Sequence, residues 1–162
     1  MAGAWSENPI WTSTATGTAT IDSPDLGAFR ELLVQVQGLR HNTATTAEFM
    51  IQVSADGVTY ETTNYLHGGS SGTAGLVFAT GVAVTELIAA SVELLHFNIA
   101  RQTWANIRGG RENSATRFRT AAGFQTAATA WRYIRITNVA TPGPAASAFD
   151  ANGGIAVYYR QP

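Results

Sequence analysis

Short stretches in which apolar and polar residues alternate recur along the chain. They include "LLVQVQGL" at 32–39, "EFMIQVS" at 48–54, "WRYIRITNV" at 131–139 and "IAVYYRQ" at 155–161. A period of two places successive side chains on opposite faces of a β-strand, whereas an amphipathic helix has a period of 3.6. No sustained helical pattern interrupts these segments. The alternation therefore predicts a chain of strands, each of which buries one face.

Turn-forming residues separate the candidate strands. Clusters of Gly, Pro, Asp, Asn and Ser lie at 22–27, 55–57, 67–75 and 140–154. The segment 83–100 is ambiguous, because its first half fits a helical turn and its second half alternates; the all-β context favours a strand over 92–100. About eight short strands result, which is the pattern of an all-β, antiparallel two-sheet sandwich, jelly-roll-like in type.

The stretch "FMIQVSADGVTYETTNY" at 49–65 predicts a β-hairpin. Gly57 tolerates positive φ and Asp56 can hydrogen-bond the local backbone, so "ADG" supplies the turn. The segment 58–66 would then return beside the first strand.

Two further segments are predicted to be extended. The threonine-rich stretch 12–21 indicates an edge strand, because β-branched threonine favours extended structure. The stretch 104–124 predicts a strand, a turn at Gly109-Gly110 and a polar return.

Composition limits the possible functions. The 162 residues fit one domain, divided here into an arm or edge strand at 1–20 and a sandwich at 21–162. Without cysteine, disulfides and thiolate metal sites are excluded. The net charge of −1 and the 13% of charged residues predict no nucleic-acid partner. Such a weakly charged surface suits packing against another chain.

No apolar run approaches the ~20 residues of a membrane helix, so no membrane insertion is expected. The first residues, "MAGAWSENPIWTS", lack the basic region and apolar core of a signal peptide. We therefore expect synthesis in a cytoplasm and, for any role outside the cell, release by a route other than secretion.

The order of several motifs resembles a family of small virion proteins of tailed bacteriophages and phage-like gene transfer particles. The matching pieces are "VQVQGL" at 34–39, "IQVSADGVTYETTNYL" at 51–66, "YIRIT" at 133–137 and "GGIAVYY" at 153–159. The chain departs from the family pattern at Val58, where a second glycine often follows the Asp-Gly pair.

The resemblance implies a jelly-roll-like domain in a fibre, spike or tail tip, located in the virion. It also implies a homotrimer that contacts other virion proteins and host-surface polysaccharide. The alternative is a capsid decoration protein or fibre-base adaptor without receptor binding. An isolated tail rarely keeps two tryptophans exposed, so Trp5 and Trp11 are expected to dock on the body or on a neighbouring subunit. Under the decoration or adaptor alternative they are the candidates for attachment to the particle.

The sequence predicts no enzyme. His41, His67 and His96 show no metal-ligand spacing, and no nucleophile elbow is present. The carboxylates that flank the hairpin, Glu48 and Glu61, sit on polar strand faces, whereas a catalytic acid needs burial to raise its pKa. No metal and no cofactor are expected, since "DSPD" and "FDANGG" are explained as turn chemistry.

Glycan binding is the interaction that the residue types favour, because aromatic rings offer flat apolar faces with a polar edge. Two clusters are candidates. The first lies at the hairpin end and contains Tyr60, Asn64, Tyr65 and His67. The second surrounds the Gly-Gly pair and contains Trp104, Asn106, Arg108 and Arg111, of which the first three share one face of a strand. The alternative is that Trp104 belongs to the core and that the arginines pair with acids at a subunit contact.

Overall fold

The computed structural model describes residues 3–15, 17–42, 46–67, 70–111, 119–141, 148–150 and 153–161. Within these ranges the chain forms twelve strands and no helix. They are β1 Trp11–Thr14, β2 Thr20–Asp22, β3 Leu32–Leu39, β4 Thr46–Ser54, β5 Tyr65–His67, β6 Ser70–Thr73, β7 Leu76–Val82, β8 Ile88–Leu95, β9 Arg101–Arg111, β10 Arg119–Thr129, β11 Tyr133–Thr141 and β12 Gly154–Tyr159. The described part of the chain therefore contains no helix that could cross a membrane.

The strands form two antiparallel sheets. The larger has eight strands in the order β1-β12-β3-β8-β9-β10-β5-β6, and the smaller has four in the order β2-β11-β4-β7. The predicted all-β, two-sheet architecture is thus confirmed. The strand number exceeds the predicted eight, because short strands such as β2 and β5 are too brief to show a pattern of their own.

The core lies between the two sheets. In β8 every second side chain is buried, beginning with Ile88, as the alternation predicts. The largest fully buried side chains include four phenylalanines, and three of them, Phe49, Phe78 and Phe149, lie in tilted contacts with ring centroids 5.7–6.1 Å apart. Aromatic rings of this kind bury much apolar area each and dominate core energetics.

The predicted hairpin at 49–65 is wrong. The turn forms, but the chain after it does not continue as a strand beside β4: β11 pairs along one edge from Thr46 to Ser54, and β7 takes the other edge as far as Ile51. The segment instead crosses to the larger sheet, where Tyr65 begins β5 and pairs with β10. Of the backbone hydrogen bonds that the predicted hairpin would form between 58–66 and β4, the structure shows one, from Glu61 N to Val53 O at 2.9 Å.

The turn itself is organised by one carboxylate. Oδ1 of Asp56 accepts hydrogen bonds from the backbone N–H groups of Thr59 at 2.8 Å and Val58 at 2.9 Å, and from the Ser54 hydroxyl at 2.9 Å. These bonds, from Thr59 above all, lower the pKa of Asp56 to about 2. Gly57 follows with a φ of +76°, as predicted.

Asp56 should therefore make the stability of the protein depend on acid pH. Its pKa is about 2 when folded and about 3.9 in an unfolded chain, so its contribution is complete above pH ~4 and is lost as the pH falls towards ~2. We expect Asp56→Asn to lower Tm at pH 7, and the gap to the parent protein to narrow below pH ~4. Thermal unfolding followed by circular dichroism over this range measures it, with Glu7→Gln as the control for loss of one exposed charge. A gap of constant size would contradict the assignment.

The Gly-Gly pair does not form the predicted turn. Gly109 and Gly110 lie inside β9, and the connection to β10 runs through 112–118, outside the described residues. A Cβ at Gly109 would lie 2.9 Å from the Cβ of Ala90 and 3.2 Å from the carbonyl oxygen of Phe78. Glycine is therefore needed here for close packing of strands and not for a turn.

The N-terminal segment is part of the sandwich. The predicted edge strand at 12–21 is divided into β1, which pairs with β12, and β2, which pairs with β11 in the other sheet. The predicted strand at 92–100 begins earlier, at Ile88, and ends at Leu95 before His96, whose φ is +61°.

Candidate functional site

The outward face of β9 presents the second predicted cluster. Residues 103, 105, 107 and 109 are buried, and Trp104, Asn106 and Arg108 alternate with them on the exposed face. Trp104 is 45% exposed, one of few large apolar side chains at the described surface. The alternative placement of Trp104 in the core is therefore wrong, and the shared face is confirmed. For Arg111 the structure gives the backbone pairing with Ile88 but no side-chain position.

Strand register brings other residues to the same face. Arg108 of β9 lies opposite Ser91 of β8, Ser91 opposite Gln35 of β3, Gln35 opposite Ala156 of β12, and Ala156 opposite Thr12 of β1. These five residues form a row that crosses five neighbouring strands. The row lies along an open trough with a volume of about 1020 Å³. We call it the sheet trough.

The polar groups beside the trough are oriented by cross-strand contacts. Asn106 lies opposite Glu93, and its Nδ2 donates to Glu93 Oε2 at 3.2 Å. The Asn106 carbonyl oxygen therefore points away from Glu93. This contact fixes the direction of the amide between Trp104 and Arg108 and leaves an acceptor for a ligand hydroxyl.

Arg108 differs from the arginines that stabilise the fold. Ion pairs join Arg40 to Asp150, Arg132 to Asp25, Arg135 to Asp22 and Arg160 to Glu31. Among the described residues Arg108 has no carboxylate partner. Within the described part of the chain, the Arg108 guanidinium at the end of the sheet trough is therefore not neutralised by an ion pair.

The first predicted cluster does not assemble. Tyr60 is only 8% exposed and lies over the smaller sheet, with the Arg135 guanidinium 3.9 Å from its ring centre. Burial raises the pKa of its phenol, and the charge of Asp22 raises it further. Tyr65 is completely buried between the sheets. Neither ring is at the surface, so the prediction that they jointly line a binding surface is wrong for both.

The other two members of that cluster lie directly before β5 and at its last position. Asn64 is exposed with a φ of +64°, and its amide donates to Thr63 Oγ1 at 3.1 Å. The His67 backbone pairs with Gly123 and Ser70 in the larger sheet, and its side chain lies outside the described part of the structure. The predicted exposure of Tyr60 and Tyr65 fails because alternation indicates a strand but not the sheet that the strand joins.

Trp5 and Trp11 are both half-buried against their own chain. The Arg160 guanidinium lies 4.6 Å from the ring centre of Trp5, a cation–π contact, and Trp5 forms an isolated bridge with Arg160. Trp11 begins β1 and packs against the core. A role in particle attachment would have to use the parts of these rings that remain exposed.

Sequence reasoning missed most of the sheet trough. The alternation of β3 correctly points Gln35 outward, but nothing in the sequence places Gln35 beside Ser91 or Ala156. Among the residues that the structure describes, no three of the types His, Cys, Asp and Glu come together as metal ligands. The site therefore offers an aromatic ring, amides, hydroxyls and one guanidinium.

Comparison with known proteins gives only distant likenesses. No family model matches the sequence, and no curated protein matches it. Several solved structures are similar at a low level, among them the following three. A xylan β-1,4-xylosidase from Bacillus halodurans C-125 has a TM-score of 0.37 at 6% identity, over 82% of this chain and 28% of that one, so this chain spans under a third of it. The CBM2 module of the evolved Dit of Lactobacillus casei BL23 phage J-1 has a TM-score of 0.37 at 6% identity, over 98% and 80%. An alginate lyase from Alteromonas sp. 272 has 0.33 at 10%, over 99% and 94%.

Proposed function

We propose that this protein binds polysaccharide through the outward face of its larger sheet, without catalysing a reaction. The observation that carries the proposal is the exposed line of Trp104, Asn106 and Arg108 on β9. The Trp104 ring offers a flat apolar surface with a polar edge, and the apolar face of a pyranose ring matches that surface.

The spacing of this line suits a sugar chain. Successive outward residues on a strand lie about 7 Å apart, since each residue advances ~3.4 Å. A ring stacked on Trp104 would place its hydroxyls, or those of the next sugar, near the Asn106 amide and the Arg108 guanidinium. Both groups bond hydroxyls, and the amide is already held in direction by Glu93.

We further propose that the domain serves in a fibre or spike of a phage-like particle, as a homotrimer on the virion. The ordered motifs at 34–39, 51–66, 133–137 and 153–159 support this assignment. A host-surface polysaccharide would then be the ligand. Light scattering at two concentrations tests the trimer, and a stable monomer would oppose it.

Trp104→Ala should weaken polysaccharide binding by about tenfold or more, because aromatic anchors such as tryptophan carry much of the binding energy of a site. Trp104→Phe should retain part of the affinity. The measurement is retardation in native gels that contain one polysaccharide each, over a panel of neutral and acidic polymers. The same gels without polymer give the reference mobility.

The matched control is Val58→Ala, which removes another exposed apolar side chain, 82% exposed, from a turn beside the other sheet. We expect it to bind like the parent protein. If no polymer in the panel retards the parent protein, the proposed function is wrong. Equal retardation of Trp104→Ala and the parent protein would place binding elsewhere.

One structural feature favours the alternative of a decoration or adaptor protein. β1 is the outermost strand of the larger sheet, so its far edge has no partner strand among the described residues. An unpaired edge can add a strand from another chain. Thr12→Pro would remove a backbone hydrogen-bond donor from β1. If the protein is a decoration or adaptor protein, this variant should no longer attach to particles. If the protein only binds a receptor, attachment to particles should persist.

A further inference from the structure

We propose that the sheet trough binds an acidic polysaccharide whose chain crosses the strands, with a sugar carboxylate on Arg108. This inference rests on the proposed function and specifies both the charge of the ligand and its direction. The exposed line on β9 then marks one end of the ligand site, and the trough continues it towards β1.

The direction follows from the register of five strands. Thr12, Ala156, Gln35, Ser91 and Arg108 are direct neighbours across the sheet. Adjacent strands lie about 4.8 Å apart, so the row from Thr12 to Arg108 extends about 19 Å. An extended segment of several sugar units fits this length, whereas a single monosaccharide would leave most of the trough empty.

The floor of the trough suits hydroxyl groups. Thr12, Gln35 and Ser91 offer groups that both donate and accept hydrogen bonds, as sugar hydroxyls do. Ala156 has a small side chain and Gly154 has none, so the middle of the trough stays open to a ligand. A protein partner would instead need the large apolar anchors that interface centres use, and Tyr158 is the one aromatic side chain among the described residues of the lining.

The charge of the trough favours a carboxylate. Arg108 is the one charged side chain among the described residues that line it. Glu93 lies one row further along β8, outside the lining, and its carboxylate accepts a hydrogen bond from the Asn106 amide. A planar guanidinium binds a carboxylate through two parallel hydrogen bonds, and such charge-assisted pairs are stronger than bonds to neutral hydroxyls.

The test uses polymers that differ only in charge. Polygalacturonate, alginate and hyaluronate are each compared with their carboxyl-reduced forms, by retardation of the parent protein in native gels. We expect at least one acidic polymer to bind about tenfold more tightly than its reduced form. Arg108→Gln should bind the two forms equally.

The matched control is Arg101→Gln, which removes the same charge from an exposed position on the same strand, outside the trough lining. It should behave like the parent protein. Ala156→Trp, which fills the middle of the trough, should abolish binding of the polymer. Thermal unfolding checks that this variant folds; if it does not, the two arginine variants decide.

The outcomes separate the two proposals. No retardation by any polymer, neutral or acidic, overturns the proposed function and this inference with it. If retardation survives carboxyl reduction, or if Arg108→Gln leaves it unchanged, the inference of an acidic ligand is wrong. The proposed binding of polysaccharide would then still stand. If Ala156→Trp changes only the mass of the protein in solution, the trough is an interface between copies of this chain and the inference is wrong.

Discussion

Replacing Tyr65 by alanine is expected to lower the free energy of unfolding by about 3–5 kcal/mol, the usual cost of deleting a fully buried aromatic ring. The ring spans the core from β5 of the larger sheet to β4 of the smaller. Its hydroxyl accepts the Val53 N–H at 3.0 Å and donates to the Glu61 carbonyl oxygen at 3.2 Å. β7 ends its pairing with β4 at Ile51, so the tyrosine hydroxyl satisfies a backbone group that no strand reaches.

Tyr65→Phe separates the hydroxyl from the ring. It leaves the Val53 N–H buried without a partner, which should cost about 1–3 kcal/mol. Urea unfolding followed by fluorescence measures both variants. The control is Tyr158→Phe, a tyrosine on the outward face of the larger sheet, with an expected change within about 0.5 kcal/mol. Equal stability of Tyr65→Phe and the parent protein would show that the two sheets do not depend on this bond.

Gly153→Ala is the second substitution with a large expected effect. A Cβ at this position would lie 2.8 Å from the Cα of Leu39 and 2.9 Å from the carbonyl oxygen of Gly38. These are backbone atoms, so no side-chain rotation can relieve the contact. Overpacking of this kind costs about 1–3 kcal/mol or more. We expect the urea midpoint to fall accordingly.

The neighbouring glycine provides the control. A Cβ at Gly154 would have its nearest contact, the Ser13 carbonyl oxygen, at 3.9 Å, which is ordinary packing. Gly154→Ala should change stability by no more than about 0.5 kcal/mol. If the two variants are equally stable, the close approach of residue 153 to β3 is not required by the fold.

Gly153→Ala and Tyr65→Phe should also affect polysaccharide binding differently. Gly153 lies where the chain enters β12, and β12 supplies Ala156 to the sheet trough. A shift of β12 against β3 would move one side of the trough. Tyr65 lies on the other side of the sheet, in the core, so Tyr65→Phe should leave polysaccharide binding intact wherever the protein is folded.

Alternation in the sequence predicts the faces of the long strands correctly. In β9 it predicts that Trp104, Asn106 and Arg108 share a face, because backbone geometry alone fixes that relation. The same reasoning fails for Tyr60 and Tyr65. Whether a tyrosine after a turn is exposed depends on which strands already occupy the edges of β4, and that is a property of the assembled sheets.

The Gly-Gly pair shows the same limit. Glycine in a sequence indicates either a turn or a close contact. At Gly109 only the close approach of Ala90, on the neighbouring strand β8, shows that the glycine is needed for a close contact. The pattern of a single segment contains no information about its neighbours.

The sequence by itself determined the all-β class, the two-sheet architecture and the face that Trp104, Asn106 and Arg108 share, because these follow from local periodicity. The tertiary structure decided which strands are neighbours. It thereby aligned Thr12, Ala156, Gln35, Ser91 and Arg108, which lie up to 144 positions apart in the sequence (12 to 156), along one trough. Hydrogen bonding between strands distant in the chain sets that alignment, and no local pattern encodes it.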